Sequence, residues 1–298
     1  MAKEDRFDQV TGRKFYLDYP DDLNGSEPVT FLLSLHGAGS FGAWQRLYFP
    51  ACDYVNSHRL VVATPTAATA DPMRRWMSAA DDEHLRNVVE LVTGRFGADR
   101  IGAFWLAGHS QGGITANRLV FQDYFAARVD GYLSLSGGRL GPAEHARGFG
   151  PPTLPGEPAR RRPRLVPPEP PPADLSFIFA VGEHEIVNLP PTSPWAERYG
   201  AGPRVRLPDV IDTEPGQVYD KIREGRSSPA WGLLPRPGIT VIYAYPGARQ
   251  DRVIADVVRL DKGHTEGLEP NVTRTLVEMI AGAPGGKLRS VSAQVAGP

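Results

Sequence analysis

The stretch LAGHSQGG, Leu106 to Gly113, follows directly on the apolar run IGAFW at 101–105. An apolar run bounded by turn residues predicts a buried strand. A single serine then stands between Gly108 and Gly112, and ITANRLVFQDYF (114–125) follows as a helical segment. With 32 glycines in the chain, the pattern Gly-x-Ser-x-Gly is weak alone. Its setting sharpens it. Between a strand and a helix, flanking glycines let the backbone bend sharply without a Cβ clash and leave the Ser110 hydroxyl exposed at the top of the sheet. The helix that follows aims its first amides at that hydroxyl, a site suited to negative charge.

Working outward, further apolar runs recur between turn signals: VTFLLSL (29–35), LVVATP (60–65), GYLSLSG (131–137), LSFIFAVG (175–182) and ITVIYAYP (239–246). Continuous rather than alternating apolarity is the mark of strands covered on both faces. Leu85, Val88, Val89, Val92 and Phe96 fall on one face of a helix, with Asp81, Asp82 and Glu83 near its positive end. Val272, Leu276, Met279 and Ile280 repeat the spacing between Pro270 and Gly282, a start and a stop. Strands alternating with helices predict a single α/β domain over 1–298, a doubly wound, mostly parallel sheet.

Two segments break the pattern. Residues 141–174 hold eleven prolines and the run ARRRPR, so they continue neither a helix nor a central strand; the neutral whole makes this a solvated excursion rather than a nucleic-acid patch. Residues 188–238, rich in Pro and Gly with a short helical patch around VYDKIREG, form a second long insertion. Both are expected to emerge near the carboxyl ends of strands, where open α/β sheets bind ligands, and to act as lid-like elements.

The 298 residues carry 33 basic against 34 acidic side chains, which gives no field strong enough to argue for nucleic acid or an anionic membrane surface. A small-molecule partner is the expectation, and no signal of an oligomeric state is present. The first seven residues hold four charges and no apolar core, so a secretory signal is not read there and a cytoplasmic home is expected, although a trimmed precursor would look the same. Cys52 is the only cysteine, which excludes an intrachain disulfide and a cysteine-built zinc site. No apolar run approaches the roughly 18 residues of a membrane-spanning helix.

A serine hydroxyl at neutral pH is a poor nucleophile and needs a base. Of seven histidines, His264 in DKGHTEGLEP follows the apolar hairpin-like pair ITVIYAYP and RVIADVVRL (252–260) and lies on the last strand-end loop before the terminal helix, where it can reach across to Ser110. A carboxylate between the two should orient it. Glu185, three positions past Gly182 on the loop beyond LSFIFAVG, is the choice, with Glu183 and Asp212 as alternatives. The segment HEIVN lacks the second histidine of H-E-x-x-H, so no metal is expected. Attack on a carbonyl puts charge on oxygen, and two amides should receive it: Gln111 N–H after the serine, and Ala38 N–H in LSLHGAGSFG (33–42), between Gly37 and Gly39. Trp44, Trp76, Trp195 and Trp231 are candidates to touch a substrate, against the commoner role of a tryptophan in core or lid packing.

The motifs HGAG, GHSQGG, a post-strand acidic loop and GHTEG, in that order, resemble the α/β-hydrolase superfamily. From HGAGSFGAW through VVATPTA, Trp76, DDEHLRNVVELV and the elbow to YLSLSGG, the chain looks like the polyhydroxyalkanoate depolymerase and feruloyl esterase branch. The resemblance implies an α/β-hydrolase fold and a cofactor-free carboxylic-ester hydrolase with nucleophile Ser110, base His264 and acid Glu185. The acid is glutamate where that branch usually has aspartate, and the two Pro-rich insertions are unusual. The same three side chains would also serve a thioesterase, lactonase or amidase, and the fold could carry a non-catalytic ligand-binding protein. In the enzyme readings, activity falls on the acid side once His264 is protonated.

Overall fold

The computed structural model describes residues 1–23, 27–68, 73–76, 79–139, 144, 145, 171, 173–218, 229–232 and 234–296. The chain opens with an antiparallel hairpin, β1 (Ala2–Phe7) and β2 (Lys14–Tyr19), in which Phe15 and Leu17 turn inward while Lys14 and Tyr16 are half-buried. Then come β3 (Val29–Leu35), α1 (Gly42–Tyr48), α2 (Val55–His58), β4 (Leu60–Pro65), α3 (Ala79–Phe96) and β5 (Ile101–His109). Next are α4 (Gln111–Leu119), α5 (Asp123–Ala126), β6 (Gly131–Leu135), β7 (Glu144–His145), β8 (Ser176–Gly182) and β9 (Ile186–Asn188). The chain continues through α6 (Pro194–Arg198), β10 (Val205–Arg206), β11 (Val210–Ile211), β12 (Ile239–Ala244), β13 (Ile254–Arg259), α7 (Pro270–Ala281) and α8 (Lys287–Ala296).

Among the described residues, the main sheet runs β1-β2-β4-β3-β5-β6-β8-β13-β12-β10, with β11 also on β12. From β4 to β13 every pairing is parallel. The run at 239–246 is antiparallel to β13, to which a short return joins it as a hairpin, the pairing expected from the successive apolar runs ITVIYAYP and RVIADVVRL. β7 and β9 pair as a separate ribbon.

Why the central runs are apolar throughout is visible in their alternation. Phe31, Leu33 and Leu35 of β3, with Phe104 and Leu106 of β5, pack on one face against Leu85, Val88, Val89 and Val92 of α3, Ala116 and Leu119 of α4, and Leu288 of α8. Leu32, Trp105 and Ala107 point the other way, onto Tyr48 of α1, Val55 of α2 and Val272, Leu276, Val277 and Ile280 of α7. Each fully buried Val, Leu, Ile or Phe among them contributes about 1.5–3 kcal/mol. Two of the acidic residues at the start of α3 form ion pairs: Asp81 with Arg13, and Asp82 with both terminal guanidinium nitrogens of Arg118.

The proline-rich insertion at 141–174 and the patch around VYDKIREG lie largely outside the described residues. The described part of the second insertion is built into the body. Trp195 of α6 is fully buried and stacked on Phe177 of β8, with ring centroids 4.6 Å apart. The buried guanidinium of Arg139 joins Asp256 of β13 (2.7 and 2.9 Å) to the carbonyl of Thr192 (2.6 Å). Asp212 receives the amides of Asn271 (2.6 Å) and Val272 (3.1 Å), satisfying the first turn of α7. No helix among the described residues is long and apolar enough to cross a membrane.

Candidate active site

Four loops leave the carboxyl ends of neighbouring strands: residues 36–41 after β3, the turn between β5 and α4, residues 183–185 after β8, and residues 260–269 after β13. That edge of an open α/β sheet is where side chains from separate strands converge. The middle turn is steep. Ser110 sits at φ 52°, ψ −117°, outside the regions an L-residue favours, and forms the corner between β5 and α4. The glycines around it are required by contact. A Cβ on Gly108 would lie 2.3 Å from the Gly112 carbonyl carbon, and one on Gly112 would lie 2.4 Å from the Leu35 carbonyl oxygen.

Ser110 Oγ lies 2.8 Å from His264 Nε2, and His264 Nδ1 lies 2.7 Å from Glu185 Oε2. Both partners of the serine are buried, His264 at 3% and Glu185 at 1% exposure. The second oxygen of Glu185 accepts the Gly182 amide (2.9 Å) and the Ser136 hydroxyl (2.7 Å). Those donors, with the imidazole, offset the cost of taking a carboxylate out of water. Of the alternatives to Glu185, Glu183 is exposed and accepts the Asp261 amide at 2.8 Å, and Asp212 is committed to α7. Gly182 lets the Glu185 and His264 loops touch: a Cβ there would fall 2.4 Å from the Lys262 carbonyl oxygen.

The His264 loop is fixed from below. Arg259, 3% exposed, donates to the carbonyls of Glu266 (2.6 Å) and Gly267 (2.7 Å) and pairs with Glu269, which also meets Lys262. Against the opposing cost of burial, those two cations hold Glu269 below the usual carboxylate range.

The loop after β3 backs onto the serine, since a Cβ on Gly37 would stand 3.3 Å from Ser110 Cβ. His36 braces it: Nδ1–H donates to Gly37 O (2.7 Å), and Nε2 accepts the Ala67 amide (3.0 Å). Only the neutral ring can do both, and burial pushes its pKa down to about 4. Trp76 is 2% exposed; its indole N–H holds the His36 carbonyl (2.8 Å) and its amide holds Gln111 Oε1 (3.2 Å). Gly39 N–H is taken by Arg74 O (2.8 Å), while Ala38 is exposed beside the serine's loop. Gln111 is the first residue of α4, where an amide has no helical acceptor.

The four tryptophans separate. Trp231 lies with its ring centroid 5.3 Å from that of His264, half-buried. Trp44 is half-buried on α1 and packs on the second core face. Trp76 braces both glycine-rich loops, and Trp195 lies in the core; being buried, neither offers a surface to a substrate, which corrects the expectation for those two. Ser136, a donor to Glu185, was not among the residues expected from the sequence. Its signal was available in the small, polar Ser-Gly-Gly ending of GYLSLSGG, beside the elbow's own glycines.

No protein-family model matches the chain, and no curated protein does. Solved structures do match. The acetyl xylan esterase from Aspergillus awamori aligns over 94% of this chain and 99% of its own at a TM-score of 0.51 and 12% identity. The fluorophosphonate-binding serine hydrolase F of Staphylococcus aureus aligns over 44% of this chain at a TM-score of 0.34 and 20% identity. An α/β serine hydrolase homologue from Coxiella burnetii aligns over 61% of this chain and 74% of its own at a TM-score of 0.38 and 13% identity. The chain spans about half the length of the staphylococcal hydrolase, 55%. With its mostly parallel sheet and flanking helices, the chain has the α/β-hydrolase fold.

Proposed function

We propose that the protein is a serine hydrolase that cleaves a carboxylic ester through an acyl-Ser110 intermediate. The observation that carries the reading is the unbroken relay from Ser110 Oγ through both nitrogens of His264 to Glu185 Oε2. In it, His264 Nε2 takes the Ser110 proton as Oγ attacks the acyl carbon. Glu185 fixes the tautomer and stabilises the imidazolium; the Ala38 and Gln111 amides receive the oxyanion. The imidazolium returns the proton to the departing alkoxide. Water, deprotonated by the same nitrogen, then attacks the acyl-enzyme, and the imidazolium returns that proton to Ser110 Oγ as the acyl–oxygen bond breaks and the acid leaves. Within the fold, the motifs from 36 to 138 support placing the chain near the polyhydroxyalkanoate depolymerase and feruloyl esterase branch.

The test is stoichiometric labelling by a fluorophosphonate probe, expected in the parent and absent in Ser110→Ala; full labelling of that variant would remove Ser110 from the reading. Matched aryl ester, thioester and anilide substrates then fix the leaving group, and esters graded in acyl length and aromaticity measure the pocket.

A further inference from the structure

His109 precedes the nucleophile, and nothing in the reaction as written uses it. Its ring nevertheless lies against two of the loops on which that reaction depends, the one after β3 and the one that carries His264. Nε2 lies 2.9 Å from the carbonyl oxygen of His264, so Nε2 carries the proton and donates it. The ring stacks on Tyr48 of α1 with centroids 3.8 Å apart and stands 4.8 Å from the ring of His264. On its other side, Nδ1 is 2.9 Å from where a Cβ on Gly37 would be. Tyr48 reinforces the tie, with its hydroxyl 3.4 Å from the same His264 carbonyl and its own carbonyl accepting the Leu268 amide at 2.8 Å.

Resting on the ester-hydrolase reading of the site, we propose that His109 is a positioning residue. Its Nε2–H on the His264 carbonyl joins the strand end that carries the nucleophile to the loop that carries the base, and holds the imidazole between Ser110 and Glu185. A direct bond between these two segments removes a degree of freedom that the long chain connection from 109 to 264 leaves open. Burial, and after it the neighbouring side chains of His264 and Arg259, keeps His109 well below the ordinary histidine range. The neutral ring therefore adds no second positive charge beside His264 when the latter becomes imidazolium during attack.

The test compares His109→Phe, which keeps a flat ring against Tyr48 and loses the donor, with His109→Gln, which keeps one. Turnover of a chromogenic aryl ester, thermal melting and the far-downfield proton resonance of the His264–Glu185 hydrogen bond are measured on each. His109→Phe should lose about 10- to 100-fold in kcat with KM unchanged, the scale of a reacting group misplaced by roughly 1 Å. Its downfield resonance should shift or broaden, and His109→Gln should recover most of the rate. A folded His109→Phe with parental kcat and an unmoved resonance overturns the proposal, and so does a His109→Gln no faster than His109→Phe. If His109→Phe does not fold, His109→Met against His109→Gln makes the same comparison. Absence of fluorophosphonate labelling in the parent would instead overturn the reading of the site itself, which separates the two failures.

Discussion

Replacing Glu185 by glutamine probes the relay with little change of shape. Oε1 of Glu185 receives the fixed amide donor of Gly182 at 2.9 Å and the Ser136 hydroxyl at 2.7 Å. That position demands an acceptor. The amide oxygen of the introduced glutamine must therefore occupy it, because the reverse orientation would set two N–H donors face to face at a site 1% exposed, a cost of about 1–3 kcal/mol. The amide nitrogen is then left opposite His264 Nδ1, where the carboxylate oxygen stood at 2.7 Å. As a donor it forces Nδ1 to accept and drives the imidazole proton to Nε2, facing Ser110. A base with its reacting nitrogen already protonated cannot take the serine proton. The expected loss is about 10⁴ in kcat, the scale of a triad held in the wrong tautomer, or about 5.4 kcal/mol of barrier. Steady-state hydrolysis of an aryl ester and the rate of fluorophosphonate modification both measure it, with a thermal melt to show the variant folded. A folded Glu185→Gln within tenfold of the parent would refute the assignment of Glu185 as the acid.

Four other outcomes follow from the same structure. Gly182→Ala sets a methyl 2.4 Å from the Lys262 carbonyl, so urea midpoints should show a loss of about 1–3 kcal/mol or more, with turnover falling as the acid and base loops part. Trp195→Ala should cost about 3–5 kcal/mol of stability as a core truncation and leave the ratio of rates among ester substrates unchanged. Trp231→Ala should do the reverse, altering KM across an acyl series with little effect on the melt, because its half-buried ring lies over His264. Below pH 6.5 the parent should lose stability through His36. Its folded pKa is depressed from 6.5 to about 4, so the unfolded chain binds the proton first; the contribution, at most about 3 kcal/mol, is complete above 6.5 and drains away as pH falls towards 4. Protonation also turns His36 Nε2 from acceptor to donor against the Ala67 amide, and His36→Gln, which can still donate and accept, should flatten this part of the pH profile in urea titrations.

Much of the site could be read from the chain because its constraints are local. The bend at Ser110 needs Gly108 and Gly112 within two residues of it, and the clashes those glycines avoid are with backbone of the turn itself and of the adjacent β3. The central strands are legible for a similar reason: burial on both faces leaves no room for polar alternation, and β3, β4, β5, β6 and β8 carry none. Apolarity alone does not give a strand's direction; the antiparallel sense of β12 was legible because the next apolar run, RVIADVVRL, follows closely enough to pair with it as a hairpin. The β1–β2 hairpin escaped because its signal is of the opposite kind, a half-exposed strand in which Phe15 and Leu17 alternate with Lys14 and Tyr16.

The parts that could not be read are those where one residue's role is set by another far along the chain. Trp76, Trp195 and Trp231 are equivalent as letters. What divides them is whether the indole meets the His36 carbonyl, the ring of Phe177 or the ring of His264. Glu183, Glu185 and Asp212 divide in the same way. Each carboxylate accepts at least one backbone amide, so hydrogen bonding alone does not single out the acid. Only Glu185 has one oxygen fully engaged by Gly182 and Ser136 and the other directed at His264 Nδ1. The longer glutamate side chain is what permits this from a turn that starts at Gly182: it folds back to its own strand end and still reaches across to the neighbouring loop. Glu185→Asp, one methylene shorter, must give up either the anchor or the histidine. An intermediate loss of about 10² in kcat, between the parent and Glu185→Gln, is the expected result. Parental turnover in Glu185→Asp would show that the double engagement of the carboxylate is dispensable.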